Sequence, residues 1–155
     1  MLRLPRTLYD EMMAHCRREY PKEACGILAG ERGPASPRLR SGRRSEAYSA
    51  KDGGVVAQVY PMRNVEASPI GYSMDPNEQL RIEKAMRQKG QRILGIYHSH
   101  TASAAYPSSV DVSLAISPDV AYVLISLMNR EQPDIKSYRI DGATVTPEEV
   151  VIFGV

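Results

Sequence analysis

The chain has 155 residues, 43% hydrophobic and 25% charged, with a formal net charge of +2. That length supports one domain over 1–155 with a core of its own and leaves little room for two, and so small a charge excludes nucleic acid as the default partner. The first residues lack the apolar core of a signal peptide, no stretch reaches the length of a membrane span, and Cys16 and Cys25 make neither a disulfide framework nor a CxxC pair. A cytoplasmic protein without membrane contact is expected.

In chain order, the first element is a helix over 7–20, with Thr7 as its cap and Leu8, Met12 and Cys16 as an apolar stripe at four-residue spacing. Glu23 to Leu28 reads as the first strand. Residues 31–44 hold two prolines, two glycines and five arginines, the composition of a loop or a hairpin with a mobile tip. That segment is a solvated loop on one reading and an anion-binding patch on another. The turn residues Asp52-Gly53-Gly54 lead into a strand over 55–60. A second helix starts where Asp75 can cap and Pro76 suits the first helical position, and it ends at Gly90. Leu80, Ile82, Ala85 and Met86 give it a partly apolar face.

Ile93-Leu94-Gly95-Ile96-Tyr97 is short, apolar and β-branched, a buried strand that runs into His98-Ser99-His100. Pro107 and Ser108 then open a short helix over 111–116, bounded by Pro118. Strands follow over 120–128, 135–140 and 150–153. There are no repeats. The order of elements defines an α+β or mixed α/β chain with a central sheet flanked by helices.

The chemistry concentrates between residues 98 and 111. Side chains two apart on a strand share a face, about 6.6 Å apart along it, so the imidazoles of His98 and His100 can converge on one ion. Asp111 can add an oxygen. Three protein ligands with a fourth position open is the arrangement of a catalytic zinc, whereas a structural zinc is closed by four. Plainer readings exist for each part: two polar side chains on a solvated face, and a helix start in which Ser108 caps and Asp111 suits the dipole. Capping and metal binding are compatible, because a cap fixes the backbone from which Asp111 reaches out.

The pattern H-x-H-x7-S-x-x-D resembles the signature of the JAMM (MPN+, Mov34/PAD1-type) metalloproteases. Pro21-Lys22-Glu23-Ala24-Cys25-Gly26-Ile27-Leu28-Ala29-Gly30 resembles the upstream glutamate segment of that family, and Asn64 with Ser68 to Pro76 is similar to its bacterial branch, which processes sulfur carriers. The likeness covers roughly residues 5 to 130. Thr101 departs from it: many members have proline there, which stiffens the turn, but no ligand is lost.

The resemblance implies a three-layer MPN/JAB fold, cytidine-deaminase-like, and one Zn2+ per chain on His98, His100 and Asp111. Glu23 becomes the group that moves the proton from water to the leaving amine, and Ser108 a donor to the tetrahedral oxyanion. The implied substrate is an amide or isopeptide bond after the C-terminal Gly-Gly of a ubiquitin-like or sulfur-carrier protein, its tail lying as an added strand beside residues 65–75. No ligand role is implied for Cys25, which reads as a small buried hydrophobe. Tyr97, Tyr106 and Met74 line either a substrate groove or the core. Two other classes stay open: a non-catalytic MPN scaffold, which would lack parts of this residue set, and a DNA-repair-associated JAB-type protein, which usually has asparagine where Ser99 stands. A homodimer is compatible with all three. Nucleoside deaminases need H-x-E and P-C-x-x-C, and neither occurs.

Overall fold

The computed structural model describes residues 1–31 and 54–155. Strand β1 (Leu2–Pro5) leads into helix α1 (Arg6–Glu19), followed by β2 (Cys25–Glu31), β3 (Val56–Met62), α2 (Pro76–Gln88) and β4 (Gln91–His100). The short helix α3 (Ser109–Leu114) precedes β5 (Ala121–Ser126), β6 (Asp134–Asp141), β7 (Thr144–Glu148) and β8 (Val150–Phe153). Six strands form one mixed sheet in the order β3-β2-β4-β5-β6-β7, with β4 and β5 parallel and the other neighbours antiparallel. β1 pairs in parallel with β8 in a separate two-stranded sheet.

β2, β4 and β5 hold the middle of the large sheet because they can be buried on both faces. Every residue of β5 and all of β2 except Glu31 are buried. One face carries Leu28, Val59, Tyr97, Val123 and Ile125 against Met12, Met13 and Cys16 of α1. On the opposite face Cys25, Ile27 and Met62 meet Met86 of α2, while Leu124, Tyr122 and Ile140 meet Val112 and Ala115 beside α3. The result is three layers, α1 over the sheet over α2 and α3.

A register shift between β2 and β4 keeps the faces in phase. Leu28 pairs with Gly95 but Ala29 with Ile93, so Leu94 is the extra residue of a bulge. Beyond it, His98 and His100 alternate with Tyr97 and Ser99. Gly26 faces Tyr97, and a Cβ there would lie 2.3 Å from the ring. Only glycine lets the phenol cross β2 and reach His15.

The structure moves several boundaries. α1 starts at Arg6 with Pro5 before it and no side-chain cap bond, so Thr7 lies inside the first turn, too late to be the cap. The strand after α1 begins at Cys25 and runs to Glu31, leaving Glu23 ahead of it. Asp75 caps α2 as expected, accepting from the amides of Asn77 and Glu78, and Gly90 follows the helix with a φ of +67°. Leu80, placed on the apolar face, is 61% exposed. β1 and β7 had no counterpart in the hydrophobic pattern, and residues 65–75, the segment beside which the substrate tail is expected to lie, form a loop. The anion-patch reading of 31–44 and the turn at 52–54 lie, apart from Glu31 and Gly54, outside the described residues.

Candidate metal centre and active site

β4 delivers His98 and His100 to the α2–α3 side of the sheet, and α3 delivers Asp111. The Nε2 atoms of the two histidines lie 3.2 Å apart. Oδ2 of Asp111 is 3.2 Å from Nε2 of His98 and 3.0 Å from Nε2 of His100. Among the described residues this trio alone brings three histidine, cysteine or carboxylate ligand atoms together, all within 4.8 Å of one another.

The α3 cap aims the carboxylate. Ser108 Oγ accepts from the amide of Asp111 at 3.1 Å, and the amide of Ser108 donates to Oδ2 of Asp111 at 2.8 Å. This is a reciprocal capping box. The cap and the ligand position expected for Asp111 are therefore the same arrangement. Ser108 itself is exposed, and its O–H is left over as a donor because the Asp111 bond uses only a lone pair.

Nδ1 of His100 faces the carbonyl of Ala104 at 2.9 Å. A carbonyl only accepts, so Nδ1 carries a proton, and in the neutral imidazole it is the Nε2 lone pair that faces His98 and Asp111. Burial disfavours the charged form of His98 and lowers its pKa despite Asp111 beside it. Burial also opposes charge on His100, but hydrogen bonding to Asp111 and to the Ala104 carbonyl raises its pKa on balance. For Asp111 burial again works against ionisation; the bonds from His100 and His98 outweigh it and hold the carboxyl far below the usual range. With both imidazoles neutral at Nε2 and the carboxylate ionised, three electron pairs face one point, which a cation would satisfy.

Glu23 is 5% exposed. Burial pushes its carboxyl up to about 7, with His100 opposing the shift and Asp111 adding to it. A carboxyl that titrates near neutrality next to a metal-type cluster is what proton transfer requires. Its backbone is fixed on both sides: the Glu23 amide donates to the Ser68 carbonyl at 2.8 Å, and Asn64 Nδ2 donates to the Glu23 carbonyl at 3.0 Å.

Asn64 is the organiser of this region. Its side-chain amide also donates to the Gly71 carbonyl, while its Oδ1 accepts from the amides of Glu66 and Ser73. The 65–73 loop so formed places Tyr72 on His98, ring centroids 4.6 Å apart and stacked. Thr101 Oγ1 donates to the Pro69 carbonyl at 2.9 Å. From the other sheet face, Ser99 Oγ accepts from the amide of Ala24 at 2.8 Å, tying the histidine strand to the Glu23 segment. Tyr72 and the side-chain bonds of Asn64, Ser99 and Thr101 have no periodic signature. Only the strand alternation, which sends Ser99 away from the histidines, hinted at one of them.

The other candidates resolve as follows. Cys25 faces the same side as His98, its register partner, but packs with Ile27, Ala29, Met62 and Met86, and burial pushes its thiol up to about 12. Tyr97 belongs to the opposite, α1-facing core, its hydroxyl 2.7 Å from Nδ1 of His15. Met74 packs against the α2 cluster. Tyr106 is 58% exposed and meets Tyr138 edge-on.

Comparison with known proteins gives the chain its family. The family of prokaryotic homologs of the JAB domain matches residues 5–141. The chain belongs to that family, and its layers are those of the JAB/MPN fold. It is 41% identical over 143 residues to the CysO-cysteine peptidase of Mycobacterium tuberculosis, covering 92% of this chain and 85% of that one. It is 35% identical over 116 residues to a probable TtuB-protein conjugate cleaving protease of Thermus thermophilus, covering 74% of this chain and 64% of that protein. The solution structure of protein DSY2949 from Desulfitobacterium hafniense superposes with a TM-score of 0.81 at 37% identity, over all of this chain and 94% of the other. The relatives named for an activity are a peptidase and a protease, so the chain is placed among hydrolases.

Proposed function

We propose that this protein is a zinc-dependent peptidase that cleaves the amide or isopeptide bond after the C-terminal Gly-Gly of a ubiquitin-like or sulfur-carrier protein. The observation that carries the reading is the convergence of His98, His100 and Asp111 beside a buried Glu23. A tetrahedral centre with ligands at about 2.0–2.1 Å has edges of about 3.3 Å. The separations of 3.0 and 3.2 Å among the three donor atoms match such a face. The donor set of two imidazoles and one carboxylate fits zinc, so His98, His100 and Asp111 would hold it. When bound there, zinc supplies Lewis acidity, polarising a carbonyl and making water a nucleophile at neutral pH.

The chain's own residues do the rest. Glu23 takes the proton of the attacking water and returns it to the leaving amine, a double task suited to a carboxyl poised near 7. Ser108 donates its free O–H to the oxyanion that develops on the scissile carbonyl. The Ala104 carbonyl fixes the His100 tautomer, and the capping box fixes the Asp111 rotamer. The substrate tail is led in along the 65–73 loop, whose residues 65–67, 69 and 70 are exposed. Main-chain contacts there would supply affinity, and a narrow approach to the metal would select glycine. The named activities of the mycobacterial and Thermus relatives support a conjugate of this kind as substrate.

The test is to incubate the zinc-loaded protein with sulfur-carrier–cysteine and ubiquitin-like–lysine conjugates and to weigh the products. Release of the carrier with an intact Gly-Gly end is expected, with near-complete loss when the final glycines become alanine. Efficient cleavage of casein, or indifference to those glycines, would leave a general peptidase in its place.

A further inference from the structure

Two successive carbonyls of the 65–73 loop are taken by donors from two separate segments of the chain. Ser68 O accepts from the Glu23 amide at 2.8 Å, and Pro69 O accepts from Thr101 Oγ1 at 2.9 Å. Gly71 O is held from below by Asn64. The loop would not keep this shape unaided. Ala67 sits at a φ of +47°, in the left-handed region that a residue with a Cβ disfavours, and such a conformation persists only where its surroundings over-determine it. Of the pins, the Asn64 bonds to Glu66, Gly71 and Ser73 shape the loop itself, and its bond to the Glu23 carbonyl joins it to the catalytic segment. The Glu23 amide is a second tie to that segment, and Thr101 attaches the loop to the end of β4.

Thr101 is 9% exposed and directly follows His100. Its hydroxyl therefore spans the short gap between a metal-type ligand and the loop that stacks Tyr72 on His98. On the other side of this strand end, the Leu127 amide takes the His100 carbonyl at 2.9 Å.

We infer that Thr101 is a positioning residue whose hydroxyl latches the 65–73 loop against β4, holding it in the conformation that receives the substrate tail. The inference rests on the proposed role of that loop in substrate binding. Losing the latch frees the loop without touching the proton-transfer group, because Glu23 keeps its bond from Asn64. Binding then has to order the loop each time, so the effect falls on KM.

Thr101→Val keeps the shape and removes the donor; Thr101→Ser keeps the donor and removes the methyl. In amide hydrogen exchange on the full chain without metal, Thr101→Val should speed exchange at Val65, Ala67 and Ser73 while leaving the β2, β4 and β5 amides unchanged. Thr101→Ser should match the parent. With the sulfur-carrier conjugate, Thr101→Val should raise KM about three- to tenfold, the range of one hydrogen bond, with kcat and zinc content unchanged. Unchanged loop exchange in Thr101→Val would overturn the latch, as would a serine variant as impaired as the valine one. A fall in kcat at constant KM would also overturn it. If valine loosened β4 and β5 too, Thr101→Ala set against Thr101→Ser makes the same comparison. A parent protein that cleaves no conjugate would refute the proposed substrate, whereas the exchange measurement would still decide the latch.

Discussion

The two faces of β4 each bury histidine chemistry, and they use it differently. On the α1 side, His15 is 3% exposed and its Nδ1 meets the Tyr97 hydroxyl at 2.7 Å. Burial lowers its pKa, keeping it neutral. One donor meets one acceptor and the pair is complete. On the other side, His98 and His100 turn their Nε2 atoms toward each other and toward one carboxylate oxygen. Three lone-pair donors there share a point with too few protons to go round. A buried histidine is therefore no sign of a metal; an excess of donors over hydrogens at one point is.

The largest expected effect separates the two faces directly. His98→Ala, His100→Ala and Asp111→Ala should each lose zinc and activity, whereas His15→Ala should keep the metal and cost only stability. Metal analysis of the purified variants checks this. Full zinc in all three ligand variants would break the contrast, as would zinc loss in His15→Ala equal to theirs.

Glu23→Gln sharpens the active face. Zinc should be retained and turnover should drop about 10²–10⁴-fold, the usual contribution of a positioned proton carrier. The same variant has a pH signature in metal-free protein. The folded carboxyl titrates at about 7 against an ordinary value of 4.5, so the folded state holds a proton that the unfolded chain has released. Glu23 costs no stability below about pH 4.5, and the penalty grows as pH rises to 7. Glutamine should then stabilise the metal-free protein above pH 7 by on the order of 3 kcal/mol at most, with the gain vanishing near pH 4.5. Urea midpoints of both proteins across pH measure it, and a gain independent of pH would show that Glu23 is not the titrating group.

Ser108→Ala should lower kcat about 10²–10³-fold with zinc retained if its O–H meets the oxyanion. Loss of the cap alone costs about 1 kcal/mol. An unchanged kcat with a lowered melting temperature would reduce Ser108 to its part in the capping box. Smallest of all, Tyr97→Phe should destabilise by about 1 kcal/mol by unpairing His15, with metal content and kcat untouched. A kinetic effect there would mean that the two faces of β4 are coupled.

Much of the site was legible in the sequence because its chemistry is local. The period-2 spacing of His98 and His100 and the cap at Ser108–Asp111 are short-range rules, and both hold in the structure. Asp75 and Pro76 likewise announced the start of α2. Legibility failed where a neighbour far along the chain decided the outcome. β1 is four residues with only Leu2 and Leu4 buried, a strand because β8 pairs with it from the other end of the chain. Thr7 looked like a cap until β1 brought the helix start forward to Arg6.

By itself, then, the sequence determined the alternation of His98, Ser99 and His100, the helix start that aims Asp111, the central apolar strands and the family to which the chain belongs. Only the tertiary structure decided what those residues meet. It set Glu23 ahead of its strand and buried it, laid Tyr72 over His98, gave Thr101 the carbonyl of Pro69, and turned Tyr97 away to His15. The reason is physical: periodicity and capping act within a few residues along the chain, whereas desolvation and hydrogen bonds between distant segments arise only when strands and loops are brought side by side.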